Sequence, residues 1–297
     1  MPAPSPSSPV QTYLPHPSRP RPALPPGACD AHCHIFGPAD RFPYAPQRSF
    51  TPVDATREQL FALHRMLGIE RCVLVQSAVH GFDNAVIEDA IAAGGGRYLG
   101  IALVPVDVAD TELQRLAAAG FRGVRFNFMA HLPSADPAAV VALTRRLAPL
   151  GLHLQVHFES SLVHTLGPVL AQSAVPVVID HFGRVDASLG ADHADFRALA
   201  ALLRNPLFHV KLSGADRNSR LASSHRPPYA DATALARRLL EAAPERCFWG
   251  TDWPHPNHTH IPDDGLLVDA LEQIAPTAAL RRQLLVDNPQ RFYRFIG

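Results

Sequence analysis

The feature that most narrows what this chain can fold into is an alternation. Short apolar runs and helical stretches follow one another from about residue 28 to the end. Strands are expected over 28–35, Arg71–Ser77, Tyr98–Val106, Gly123–Phe128, His153–Glu159, Val175–His181, Phe208–Gly214 and Arg246–Asp252. Between them, apolar residues keep a helical period over Ala55–Leu67, Asn84–Ala93, Thr111–Ala119, Pro137–Leu150, Leu162–Gln172, Phe196–Leu203 and Ala232–Ala242, and several of these stretches stop at glycine. Two more helical stretches, 264–274 and 277–286, close the chain. The strands are apolar on both faces, as parallel strands covered on both sides are. Eight such units predict an α/β fold, a single (β/α)8 TIM barrel spanning 27–297. No glycine-rich phosphate-binding fingerprint supports the alternative, an open doubly wound sheet.

Residues 1–26 are rich in Pro and Ser and lack the apolar core of a signal peptide. They are expected to form a disordered or loosely draped arm. The 27 basic residues balance 27 acidic ones, so the chain carries no electrostatic footprint for nucleic acid or an acidic membrane surface. No apolar run approaches the length of a membrane span. Four cysteines, Cys29, Cys33, Cys72 and Cys247, lie in apolar strand-like runs without metal-knuckle spacing and read as reduced core thiols of a cytoplasmic protein.

In a barrel the chemistry sits where strands run out. Alternation along the first strand places Asp30, His32 and His34 on one face. A pair of imidazoles two residues apart can grip a divalent ion or polarise a carbonyl oxygen. The other strand ends carry Gln76 and Ser77, Arg125 and Asn127, His157 and Glu159, His181 and Arg184, Ser213 with Asp216 and Arg217, and Asp252 with His255 and Asn257. So many polar groups at the rim of an apolar core are hard to explain by packing alone.

The runs Asp30-Ala31-His32-Cys33-His34-Ile35-Phe36-Gly37-Pro38, Gly123-Val124-Arg125-Phe126-Asn127-Phe128, Ile179-Asp180-His181-Phe182-Gly183-Arg184 and Asp252-Trp253-Pro254-His255-Pro256 occur in that order. With them the chain resembles the amidohydrolase superfamily and, within it, the 2-pyrone-4,6-dicarboxylate lactonase group. The resemblance implies hydrolysis of a small carboxylated lactone. Asp252 would be the general base, and His32, His34 and His181 would stabilise the oxyanion. Arg125, Arg217 and Arg184 would bind substrate carboxylates, with Ser77, Asn257, His131 and His157 also at the substrate. Where the group's pattern has tyrosine, arginine and tyrosine, this chain has Phe50, His131 and His157, which weakens the match to that one dicarboxylate and raises the question of a metal. His32, His34, His157 and Asp252 form the expected ligand set for one zinc-like divalent ion, beside a metal-free alternative. A bridging carboxylated lysine is disfavoured, because the chain's single lysine, Lys211, falls inside the seventh strand. The competing readings are a mononuclear metal-dependent decarboxylase or other non-lactone hydrolase on the same barrel and, more remotely, a non-catalytic binding protein.

Overall fold

The computed structural model describes residues 9–132, 134–221, 226–258 and 260–296. Its parallel strands are β1 (Cys29–Cys33), β2 (Arg71–Val75), β3 (Tyr98–Leu103), β4 (Phe121–Phe128), β5 (His153–Phe158), β6 (Val177–Ile179), β7 (Phe208–Lys211) and β8 (Cys247–Phe248), paired in sequence order. Helices α1 (Arg57–Leu67), α2 (Ala85–Ala93), α3 (Asp110–Ala118), α4 (Pro137–Leu147), α5 (Val163–Leu170) and α6 (Ala194–Leu202) follow β1 to β6 in turn, with α7 (Ala215–Asn218) and α8 (Ala230–Ala242) between β7 and β8. This is the expected (β/α)8 barrel. Most of the apolar core lies between strands and helices, and a smaller cluster that includes Ala31, Val73, Ile101, Val178 and Phe248 forms a second apolar layer.

The helices begin where the sequence supplies caps. Thr56 and Gln59 form a reciprocal capping box at α1, and Asp136 accepts from Ala138 and Ala139 N–H at α4 with Pro137 in the first turn. Each side chain satisfies backbone donors that the helix itself leaves without partners.

Between first and last strands, closure runs through loop backbone. Ala31 N–H donates to Trp249 O, Asp252 N–H to His32 O, and His34 N–H to Trp253 O. Gly250 is required at this seam, since a Cβ there would lie 2.5 Å from the His32 nitrogen. Closure therefore brings Asp252 alongside the two histidines of β1.

Seven of the eight strands are shorter than their expected ranges, β6, β7 and β8 among them, and β4 is longer. β6 ends at Ile179, and His181, Phe182, Gly183 and Arg184 turn away with positive φ; β7 and β8 stop at Lys211 and Phe248. Within β1 the register shifts between Asp30 and Cys33, so the two-residue alternation expected there is broken. Asp30 faces Thr251 and His64, whereas His32 and His34 face Asp252.

Over residues 9–26 the Pro-rich arm lies against the barrel. Val10 bridges to Pro52, Arg21 pairs with Asp269 at 2.8 Å, and the Tyr13 ring packs 5.2 Å from that of Trp253, next to Asp252. No helix among the described residues is long and apolar enough to cross a membrane.

Candidate active site

The strand ends surround a cavity of about 620 Å³, open mouth included, lined by His34, Ser77, Arg125, His131, His157, His181, Arg184, Arg217, Asp252 and Asn257 together with Phe50 and Met129. Ten of the eleven residues singled out from the sequence are in that lining. The eleventh, His32, is fully buried beneath it, between Asp180 and Asp252.

Three imidazoles converge on one oxygen. Asp252 Oδ1 lies 3.2 Å from His34 Nε2, 3.5 Å from His32 Nε2 and 3.7 Å from His181 Nε2. The other oxygen, Oδ2, is 2.5 Å from Arg217 Nη2 and 3.2 Å from its Nε. Asp252 itself holds φ at 65°, a conformation that costs free energy in a non-glycine residue and recurs at sites where geometry matters more than strain. Burial would push its carboxyl up. Arg217, His181 and the His34 hydrogen bond outweigh burial and hold it well below the usual carboxylate range.

The far nitrogens are also engaged. His34 Nδ1 is 2.7 Å from the Val75 carbonyl, His181 Nδ1 is 3.0 Å from Ser213 Oγ, and His32 Nδ1 is 3.2 Å from Asp180 Oδ1. His32 and His34 thus meet an obligate acceptor at Nδ1 and a carboxylate oxygen at Nε2. A neutral imidazole has one proton and cannot serve both sides. Either a second proton or a cation on Nε2 resolves the conflict. Burial drives the pKa of His32 down to about 4, against the pull of Asp180, so the second proton is unfavourable there.

These observations leave room for a metal ion, and one group of side chains here could hold it. The atoms of His32, His181 and Asp252 all come within 4.8 Å of one another. His157, expected as a ligand, is not in that group, and His34 is not either although it touches Asp252. His157 instead meets His181 edge-on at 5.3 Å, and both its ring nitrogens are buried without a hydrogen-bond partner among the described residues. Burial, with Arg125 and His181 nearby, holds its pKa well below the ordinary value. A neutral, unsatisfied imidazole in the cavity wall is a donor or acceptor for a ligand.

The arginines separate by what they already hold. Arg125 Nε donates to Asp180 Oδ2 at 2.8 Å, and Arg217 is committed to Asp252, the Pro256 carbonyl and His258. Arg184 forms no ion pair among the described residues, and its Nη1 is buried without a partner. Burial, with Arg217 close by, lowers its pKa to about 10, which leaves the guanidinium charged at neutral pH. Ser77 Oγ accepts from Val79 N–H and keeps its own hydroxyl proton for a ligand. Asn257 and His131 stand at the exposed mouth.

Sequence reasoning passed over Asp180, which organises the floor. It accepts from Arg125 and, at 3.1 Å, from Gln155; His32 Nδ1 stands 3.2 Å away and Lys211 Nζ 3.9 Å. Gln155 pairs in register with Arg125 on the adjacent strand. The Ile179-Asp180-His181 run carried the signal, but only His181 was read from it.

The family model described as Amidohydrolase matches residues 29–295. The chain is 44% identical over 285 residues to a 2-pyrone-4,6-dicarboxylate hydrolase of Comamonas testosteroni, covering 94% of this chain and 93% of that one. It is 41% identical over 275 residues to a 4-sulfomuconolactone hydrolase of Hydrogenophaga intermedia, covering 91% and 89%. Among solved structures, a probable 2-pyrone-4,6-dicarboxylic acid hydrolase from Acinetobacter baumannii with citric acid bound superposes with a TM-score of 0.79 at 25% identity, over 91% of this chain and 100% of that one.

Proposed function

This chain belongs to the amidohydrolase family, and from that membership we propose that it hydrolyses the ring ester of a small carboxylated lactone, 2-pyrone-4,6-dicarboxylate or a muconolactone-type relative. The observation that carries the reading is the convergence of three imidazoles and one arginine on Asp252 at the wall of a cavity with an uncommitted guanidinium. The hydrolases of 2-pyrone-4,6-dicarboxylate and 4-sulfomuconolactone named above support the substrate class, as does the citrate held by the Acinetobacter neighbour.

Asp252 is ionised at neutral pH and takes the proton from a water that attacks the lactone carbonyl. A tetrahedral oxyanion forms. With no ion bound, Ser213 Oγ–H donates to Nδ1, and His181 carries its proton on Nε2 and donates to that oxyanion from the cavity wall. The ring C–O bond then breaks, and the proton held by Asp252 returns to the departing ring oxygen. The product is the ring-opened acid, carrying an alcohol where the ring oxygen leaves a saturated carbon and an enol, which tautomerises to the oxo acid, where it leaves an unsaturated one. Arg184 binds a substrate carboxylate through its free Nη1, and His157, Ser77 and Asn257 add neutral hydrogen bonds. Arg217 orients Asp252 and keeps it ionised.

His32, His181 and Asp252 would hold a divalent ion if one is bound, and such an ion supplies Lewis-acid polarisation of water or carbonyl. Phe50 and His131 face the same cavity, so the wall combines one apolar ring and a titratable one at positions that decide which lactone fits.

The test is a panel of 2-pyrone-4,6-dicarboxylate, muconolactones and sugar-acid lactones offered to the purified protein with and without added zinc. Ring opening of at least one supports the reading. No turnover of any, or release of carbon dioxide in place of ring opening, contradicts it.

A further inference from the structure

Behind β1, on the side away from the cavity, a second cluster of soft ligands is enclosed by the core. Cys33 Sγ and Cys72 Sγ lie 3.1 Å apart, and with a His64 ring nitrogen their ligand atoms all come within 4.8 Å of one another. All three residues are buried, Cys33 and Cys72 completely and His64 to within 1%. His64 projects from α1 and Cys72 from β2, so the cluster joins one helix to two strands.

The imidazole is prepared for a ligand. His64 Nδ1 is 2.9 Å from the Tyr98 hydroxyl, while Nε2 is buried with no hydrogen-bond partner, 3.5 Å from Asp30 Oδ2. Tyr98 holds one ring nitrogen, as an outer-shell partner does in metal-bound histidine, and the other pairs with the Asp30 carboxylate, a contact that a bound cation would displace. We propose that Cys33, Cys72 and His64 form a structural site for a thiophilic divalent cation such as zinc, separate from the catalytic cavity.

Charge and size are consistent with this assignment. Two thiolates and a neutral imidazole balance a divalent charge within the cluster, and Asp30, which then loses His64 as its ion-pair partner, keeps its hydrogen bonds from Thr251 and the His32 N–H. Zinc held by each sulfur at about 2.3 Å sets the sulfurs roughly 3.8 Å apart, so they part by well under an ångström from their present separation. A disulfide needs the opposite movement, to about 2.05 Å. The site would also tie down Cys33, which stands in the chain between His32 and His34, and would thereby fix the two imidazoles that face Asp252.

The cluster has no opening to solvent, so the cation must enter as the chain folds, and the probe is cobalt supplied during expression. Wild type, Asp252→Asn and the double variant Cys33→Ser, Cys72→Ser are purified from cobalt-supplemented medium and compared by metal stoichiometry, thiolate-to-cobalt charge-transfer absorption and X-ray absorption at the cobalt edge. The proposal predicts one sulfur-ligated cobalt per chain in wild type and in Asp252→Asn, and loss of the sulfur signal in the double variant. Cobalt bound without sulfur in wild type, no cobalt retained by Asp252→Asn, or a Cys33–Cys72 disulfide found by mass spectrometry overturns it. The X-ray measurement on wild type alone decides the matter if the double variant does not fold. Because Asp252→Asn removes the proposed base, failure of the lactonase reading and failure of this site give different results.

Discussion

Arg217 grips Asp252 Oδ2 with both Nε and Nη2, at 3.2 and 2.5 Å, and does so from α7, a four-residue helix that follows β7. The carboxylate is thereby oriented with Oδ1 toward the imidazoles and is kept ionised in a fully buried position. In this arrangement the guanidinium of Arg217 is taken up by Asp252.

Removing that guanidinium lets burial win. Arg217→Gln is expected to raise the pKa of Asp252, so the acid limb of the kcat/KM profile, expected below the ordinary carboxylate range in wild type, moves to higher pH. At neutral pH the rate falls by about 10- to 100-fold, in line with a lost charge-assisted hydrogen bond. A pH–rate profile of the variant with an unmoved acid limb would show that Arg217 does not set the state of Asp252.

Arg184 has a buried guanidinium nitrogen without a partner among the described residues, and the proposal gives it the substrate carboxylate. Arg184→Gln should raise KM for a carboxylated lactone by about 10- to 100-fold with kcat changed far less, corresponding to a hydrogen-bonded charge worth about 1.5–3 kcal/mol. Steady-state kinetics reading an unchanged KM would assign carboxylate recognition to another group.

Asp180 carries the floor of the site, and its loss should appear in stability. Burial favours its neutral form, but His32, Arg125 and Lys211 together hold its carboxyl well below the usual range. A folded pKa below the unfolded value of about 3.9 means the contribution is fully present above that pH and is lost as pH falls through the folded value. Asp180→Asn leaves Arg125 and Lys211 buried against a neutral amide and is expected to cost about 3–5 kcal/mol at pH 7. Thermal unfolding should show a drop in Tm of several degrees; an unchanged Tm would mean that the charges are solvated or paired elsewhere.

Lys211 is the chain's single lysine and can be observed on its own by isotope labelling. Burial lowers its pKa to about 8, with Asp180 opposing that shift. NMR of side-chain-labelled lysine should follow one amine titrating near pH 8, and Asp180→Asn should depress it further. A midpoint at the ordinary value, near 10.4, would place the amine in water.

Much of the architecture was legible because it depends on local pattern. Helical spacing in 55–67 and 137–150 and the apolar runs around Val73 and Val156 announce their elements without knowledge of neighbours. Strand ends were less legible: His181 and Asp252 continue apolar runs, yet the backbone turns at or before each with positive φ, which no periodicity encodes. Pairing was the least legible. That Arg125 belongs to Asp180, 55 positions away, and Arg217 to Asp252, 35 away, follows from barrel closure, so arginines that looked equivalent in the sequence differ in what they can still bind. The shift of β1 register, which turns Asp30 from its expected companions, has the same origin in strand-to-strand fit.

The most direct test of the account compares lactone ring opening by wild type and Asp252→Asn, followed by proton release at constant pH on whichever lactone the wild type opens. The account predicts that kcat falls by about 10²- to 10⁴-fold, as expected on removing a general base, while the circular dichroism spectrum and Tm show a folded barrel. An Asp252→Asn protein that opens the same lactone at the wild-type rate would contradict it.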